Sequence, residues 1–284
     1  MFDIKRMTAF LTAVMSAVCL TSCTKKNLNA SEVSYGEFEV TFLDVGKADA
    51  MILRTANSTV IIDCGEKGDG KDIVNMLSEE EITSVDCLII THFDQDHVGG
   101  AAKVIKELDV KRVLTPDYVR ESDEIKKYQK ALDSKSITPE KLTNDISFSL
   151  DGVDYTVYAP EKTDYGVDND NDFSLVTKAV HGENILLFTG DAMEERLSEI
   201  MDIGECTLLK VPYHGRKLDN LEEFLNAVKP KSAVVCTSKG EFSSQVQTLL
   251  SNRKIPVYST CFNGIVKAVS NGKEIRFTAE TGSV

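Results

Sequence analysis

The stretch Asp86-Cys-Leu-Ile-Ile-Thr-His-Phe-Asp-Gln-Asp-His97, followed by Val98-Gly-Gly100, decides the fold of this chain. Its apolar first half predicts a buried strand, and the amphipathic segment 101–108 predicts a helix. Between the two lie four side chains of metal-binding type, His92, Asp94, Asp96 and His97. Because ligand sites of open α/β sheets lie beyond the carboxyl ends of strands, this strand-to-helix turn predicts a metal centre.

A solvated loop with two surface histidines is the alternative interpretation of the same segment. The whole chain has four histidines, and two of them fall within these six residues. That concentration favours the metal centre over the surface loop.

The loop resembles the first metal motif of the metallo-β-lactamase superfamily, usually His-x-His-x-Asp-His. Asp94 stands where the second His would be, and this form is similar to the hydrolase domain of ComEC-type competence proteins. Further segments resemble that group at 42–50, 61–65, 187–191 and 210–215. Together they cover residues 38–277, nearly the whole expected mature chain. The predicted strands and helices suit the α+β, four-layer αββα sandwich that the resemblance implies.

The resemblance also implies two divalent metal ions that share one carboxylate. The first site would use Asp96, His97, His214 and the bridging Asp191. The second would use His92, Asp94 and Asp191, and it lacks the family's remaining His. Asp94 in place of a His makes the second site richer in oxygen, which moves the expected metal from Zn toward Mn or Mg. We therefore expect two ions, Zn or Mn.

Three residues are candidates for the missing ligand. His181 falls in the turn of a predicted hairpin, ten positions from Asp191, which at about 3.3 Å per residue puts it roughly 20–30 Å away. We expect it at the surface. Asn171 or Asp172 would face Asp191 if the hairpin is regular, and either could supply oxygen or belong to a solvated turn.

Other residues near the motifs could support the site. Metal-bound imidazoles usually donate to a second group, and the candidates, which could equally be ordinary turn residues, are Asp44, Asp49, Asp63 and Thr91. Tyr213 or Lys210 could stabilise an anion, although Lys210 lies in a predicted strand and could face solvent.

The expected chemistry is metal-dependent hydrolysis. Two cations sharing Asp191 would activate a water, and Asp96 or Asp94 would orient it and handle its proton. The resemblance favours a phosphodiester, in nucleic acid or a nucleotide. Hydrolysis of amides, lactones or thioesters is an alternative, because fold does not determine substrate.

A catalytically impaired binding lipoprotein is a third hypothesis. It rests on the missing His and on Lys239-Gly-Glu-Phe-Ser243, where ComEC-like domains often carry Gly-His-Pro.

The N-terminus predicts export. Lys5 and Arg6 precede an apolar run, 7–20, and Leu20-Thr-Ser-Cys23 resembles a bacterial lipobox. We expect a signal peptide over 1–22, a lipid on Cys23, a polar tether over 23–36 and the hydrolase domain over 37–284. The protein would then sit on the outer face of the bacterial membrane. A plain secretory signal is the alternative.

The net charge of the chain limits which partners it can bind, and the positions of its cysteines indicate the state of their thiols. The 284 residues carry a net charge of −13, and because residues 1–22 carry a net +1, the mature chain would carry −14. This argues against tight binding of duplex DNA, which needs Lys and Arg to neutralise phosphates. The apolar surroundings of Cys64, Cys87 and Cys236 predict buried free thiols.

Overall fold

The computed structural model describes residues 35–166 and 170–280. The predicted signal peptide, the predicted lipid attachment site Cys23 and most of the predicted tether lie outside the described residues. Among the helices that are described, none has the length and apolar character needed to cross a membrane.

Strands and helices alternate along most of the chain. Strands β1–β8 are Phe38–Phe42, Ala50–Arg54, Thr59–Cys64, Ser84–Val85, Cys87–Ile89, Asp109–Val110, Val113–Pro116 and Glu140–Leu142. Strands β9–β17 are Ile146–Leu150, Val153–Tyr158, Val176–His181, Asn184–Phe188, Leu208–Lys210, Ser232–Val235, Val257–Ser259, Val266–Ser270 and Ile275–Ala279. Helices α1–α8 are Gly70–Glu79, Gln95–Val98, Ala101–Glu107, Asp123–Lys135, Glu194–Glu199, Leu221–Val228, Ser244–Asn252 and Thr260–Asn263.

Two large mixed sheets form the centre of the protein. The first has the strand order β17-β16-β1-β2-β3-β5-β7-β8, and the second has the order β15-β14-β13-β12-β11-β10-β9. In the first sheet β3, β5, β7 and β8 run parallel. In the second, β12, β13, β14 and β15 run parallel. Strands β4 and β6 pair separately.

Side chains alternate between the two faces of each strand, and this alternation builds three apolar layers. Val60 and Ile62 of β3 and Phe188 of β12 lie in the core between the sheets. Ile61 packs on the other face with α1, α3 and α4, and Leu187 packs with α5, α6 and α7. The result is the αββα sandwich expected from the sequence.

The parallel strands end at one edge of the sandwich, and that edge carries the candidate site. Asp63 lies at the end of β3, the loop 90–94 follows β5, Asp191 follows β12 and His214 follows β13. The carboxyl ends of parallel strands meet at one edge, so residues far apart in sequence converge there.

Gly190 lets the two sheets approach each other at this edge. Its φ of +52° suits glycine, and a Cβ atom built on it would lie 2.9 Å from the Cβ atom of Thr91. A larger residue would therefore push the end of β12 away from the loop that follows β5.

The elements observed agree with most of those that the sequence predicts. Helix α4, predicted from Glu121, begins two residues later at Asp123, because Ser122 caps it by accepting a 3.1 Å hydrogen bond from the Ile125 amide. Strands β8 and β9 are not predicted. Their burial is partial, so they lack the continuous apolar pattern of the central strands.

Candidate metal centre

The loop after β5 is fixed by a buried carboxylate at the end of β3. Asp63 accepts hydrogen bonds from the Thr91 amide, at 2.8 Å, and from the Thr91 hydroxyl, at 2.6 Å. The Asp49 amide donates to the Asp96 carbonyl at 3.1 Å. These bonds place His92 and His97 inside the protein, where both are fully buried.

His97 lies at the centre of the site. Its Nδ1 atom donates to Asp63 Oδ2 at 2.8 Å, and its Nε2 atom lies 3.4 Å from Asp191 Oδ2. Because the Nδ1 atom carries the proton, the Nε2 lone pair is directed toward Asp191.

His214 reaches the same carboxylate from the second sheet. Tyr213 and His214 both have left-handed backbone conformations, with φ of 49° and 52°, which cost of order 1–3 kcal/mol each and occur at functional sites. The Nδ1 atom of His214 donates to the Cys236 carbonyl at 3.0 Å, and its Nε2 atom lies 2.9 Å from Asp191 Oδ2. The strained turn therefore aims this ring at Asp191.

His92 is oriented in the same way. The Thr91 hydroxyl lies 3.1 Å from its Nδ1 atom, and since that hydroxyl gives its hydrogen to Asp63, the His92 Nδ1 atom must be the donor. Ser174 lies 3.5 Å from the same nitrogen and accepts from the Asp191 amide at 3.2 Å. Ser174 thus connects His92 to Asp191.

These side chains fit divalent cations. The Nε2 atoms of His92, His97 and His214 are buried and make no hydrogen bond of normal geometry with any described residue, and neither does Asp191 Oδ1. Three groups of described residues hold ligand atoms within 4.8 Å of one another: His92, His97 and Asp191; Asp96, His97 and His214; and Asp49, Asp63 and His97. Metal–ligand bonds of about 2.0–2.2 Å put two ligands of one tetrahedral ion about 3.4 Å apart, and Asp191 Oδ2 lies 3.4 Å from His97 Nε2 and 2.9 Å from His214 Nε2.

Asp96 and Asp94 lie at opposite ends of this cluster. Asp96 Oδ2 is 3.5 Å from His214 Nε2 and 2.8 Å from Lys47 Nζ. Asp94 Oδ2 is 3.7 Å from His92 Nε2, and its other oxygen pairs with Arg120. Asp94 belongs to none of the three ligand groups, so its role as a ligand stays a prediction.

Both carboxyls are held in their charged form. Burial alone would raise the pKa of Asp96, but His214 and Lys47 outweigh it and bring this pKa well below its usual range. Burial likewise opposes the charge of Asp94, yet His92 and Arg120 lower its pKa. At neutral pH both side chains can accept hydrogen bonds and orient a water.

Lys210 is buried, so the prediction that it could face solvent is wrong. Its side chain is fully buried, pairs with Asp49, donates to the Gly190 carbonyl at 3.0 Å and lies 3.7 Å from Asp191 Oδ1. Burial would lower the pKa of Lys210, but Asp49 and Asp191 raise it above its usual range. The ammonium group therefore offsets carboxylate charge beneath the metal centre.

Several supporting residues lie elsewhere than expected. His181 is at the far end of the hairpin, as predicted, but it is buried rather than exposed, because it packs on Phe38 and bonds Ser270 at 2.8 Å. Asp172 accepts from the backbone amides of Met193 and Arg196 and so fixes the start of α5. Asp44 is exposed.

Two cations of the site had no signal in the sequence. Lys47 lies in the turn between β1 and β2, and Arg120 precedes α4. Neither belongs to a metal-ligand pattern, and each becomes part of the site only through its carboxylate partner.

The sandwich, with histidines and carboxylates at its edge, defines a metal-dependent hydrolase of the metallo-β-lactamase fold. Residues 43–239 match the sequence profile of the metallo-beta-lactamase superfamily, and the chain belongs to that family. The fold resemblance noted from the sequence is thereby confirmed.

Curated relatives support the narrower resemblance. The chain is 30% identical over 258 residues to "ComE operon protein 3" of Bacillus subtilis, covering 81% of this chain and 33% of that protein. It is 26% identical over 228 residues to "Competence protein ComA" of Neisseria gonorrhoeae, covering 78% and 30%. The chain thus spans about a third of the length of these relatives.

A solved structure shows the same fold. The metallo-beta-lactamase fold protein YhfI from Bacillus subtilis superimposes with a TM-score of 0.57 at 9% sequence identity, covering 85% of this chain and 100% of that one.

Proposed function

We propose that this chain is an exported, lipid-anchored hydrolase that uses two divalent metal ions, Zn or Mn, to cleave a phosphodiester in nucleic acid or a nucleotide. One observation carries the hydrolytic part of the proposal: a ligand atom of Asp191 lies within 4.8 Å of those of His92 and His97, while Asp191 Oδ2 lies 2.9 Å from His214 Nε2. A carboxylate in that position suits the ligand shared by a metal pair.

The phosphodiester is proposed from the relatives and from charge. Two curated relatives are named for competence or its operon. At the centre itself, Lys47 and Arg120 pair with the candidate ligands, and such cations suit an anionic substrate.

Export and anchoring are proposed from residues 1–23 alone. The basic start, the short apolar run and Cys23 favour a lipoprotein signal peptide. Growth with a radiolabelled fatty acid tests this: the wild-type chain should be labelled and recovered with membranes, and Cys23→Ser should lose the label. A labelled Cys23→Ser chain would refute anchoring at this residue.

Different residues of the centre have different roles in the proposed reaction. His92, His97 and His214, with Asp191, Asp96 and Asp94, would hold the ions, which act as Lewis acids and provide an activated water. Asp63 and the Cys236 carbonyl keep two of the rings oriented. Asp96 orients the attacking water, and burial of the cluster excludes bulk solvent.

The first test is metal content of the purified full chain, together with hydrolysis of bis(p-nitrophenyl) phosphate in Zn and in Mn. Asp96→Asn should abolish turnover. Asp86→Asn is the matched control, because Asp86 binds the Thr59 amide and Lys111 outside the centre.

The results separate the competing hypotheses. Two metals per chain and turnover that Asp96→Asn abolishes would support the proposal. Turnover of p-nitrophenyl acetate or a lactone, without the phosphodiester, would favour the alternative hydrolase. If the chain contains no metal and cleaves no probe, the impaired binding lipoprotein is favoured.

A further inference from the structure

We propose that Arg120 and Lys47 bind two phosphate groups of one substrate, on opposite sides of the metal centre, so that the preferred substrate is an oligonucleotide rather than an isolated diester. This inference rests on the proposed phosphodiesterase function and specifies its substrate class.

The two cations mark the two ends of the centre. Arg120 pairs with Asp94, which lies beside His92. Lys47 pairs with Asp96, which lies beside His214. The ring of His97 lies between them, with its centroid 4.1 Å from that of His92 and 5.4 Å from that of His214.

Arg120 has hydrogen-bond donors that no described residue uses. Its Nη1 atom is held by Asp94 and Asp170, while no residue in 35–166 or 170–280 accepts from its Nε or Nη2 atom. The side chain is 36% exposed and lines a cavity of 360 Å³ with Asp94, Asp170 and Asn171. A guanidinium fixed along one edge and open along the other suits a phosphate, which accepts two parallel hydrogen bonds.

Lys47 is similar at the opposite end. Its side chain is also 36% exposed, and Asp96 is its one ion-pair partner in the described part of the chain. An ammonium group has three donor hydrogens. After one is given to Asp96, the others remain for an anion.

The surrounding carboxylates do not cancel this attraction once the centre is loaded. Metal ions are the largest charges in such a site, and they would offset Asp94 and Asp96, leaving Lys47 as local positive charge and Arg120 with Asp170 as its remaining carboxylate partner. The net charge of −13 repels polyanions from the rest of the surface. A flexible single strand can reach the centre without laying a duplex along that acidic surface.

The test compares two probes on the metal-loaded full chain: a single-stranded hexadeoxynucleotide and bis(p-nitrophenyl) phosphate. At saturating metal, Arg120→Gln and Lys47→Gln should each raise KM for the oligonucleotide about tenfold and raise KM for the small diester several-fold less. Arg112→Gln and Lys111→Gln are matched controls, since these residues pair with Glu140 and Asp86 away from the centre.

Three results would overturn the inference: unchanged KM for the oligonucleotide, an equal rise in KM for both probes, or loss of metal that accounts for the change. If the wild-type chain cleaves neither probe, the proposed function fails by itself. Fluorescence anisotropy with a phosphorothioate oligonucleotide then decides this inference separately, because weaker binding by both variants supports it and unchanged binding refutes it.

Discussion

The Oδ2 atom of Asp191 lies 2.9 Å from the Nε2 atom of His214, although the Nδ1 atom of that ring already donates to a backbone carbonyl. A carboxylate and a neutral imidazole nitrogen are both acceptors. Their contact therefore needs a proton or a metal cation between them, and the two compete for the same place.

This competition predicts how metal binding depends on pH. Burial would lower the pKa of His214, but Asp191 and Asp96 raise it to about 9 in the metal-free protein. The proton must leave before the nitrogen can bind metal, so apparent metal affinity should rise with pH from neutral to about 9. Chelator-competition titrations from pH 6 to 10 measure this. A flat profile below pH 9 would contradict it.

The Asp63–His97 hydrogen bond should control metal affinity. Asp63→Asn removes the charge that orients His97, and loss of such partners typically lowers metal affinity about 10–100-fold. Asp145→Asn is the matched control, since Asp145 accepts from a backbone amide, that of Ala159, outside the site. Equal metal affinity in both variants would exclude this role for Asp63.

Lys210 should be needed for stability. Lys210→Met leaves the carboxylates of Asp49 and Asp191 without their buried cation, and breaking such a pair costs about 3–5 kcal/mol. Lys267→Met, which removes the partly exposed pair with Glu39, should cost less than about 1 kcal/mol. Urea unfolding of the chelated protein compares them, and similar losses would show that Lys210 is not required for charge balance.

His181 should make stability fall in mild acid. Burial lowers its pKa below the ordinary value of 6.5, so the unfolded chain binds the proton more readily than the folded one. Stability from the neutral ring is complete above pH 6.5 and is lost as pH falls from there through the folded-state pKa. Between pH 7.5 and 5, wild type should therefore lose more unfolding free energy than His181→Gln. Parallel pH profiles for the two proteins would rule this out.

Much of the fold follows from local pattern. The run before His92 is apolar enough to define a central strand, and the segment after Gly100 has helical periodicity, so the turn between them is visible in the sequence. Strand β9 could not be predicted from its local pattern, because it is only half buried and forms a strand by pairing with β10.

The candidate ligands were identifiable before the structure. Residue type and spacing indicated His92 and His97, the family resemblance implied Asp191 and His214, and the structure brings the four together at one edge. The sequence also offered Asp63 and Thr91 as supports, and both now hold the ligand loop.

Sequence alone thus determined the strand-to-helix turn and the ligand types of its loop, because these depend on spacing within a short segment, and the family resemblance of its motifs implied the class of fold. Tertiary structure alone decided that Lys210 is buried against Asp49 and that Arg120 meets Asp94. It also decided that His181 is buried. The physical reason is that burial and charge pairing depend on which elements pack together, and residues distant in the chain carry no local sign of the partner that the packed sheets bring to them.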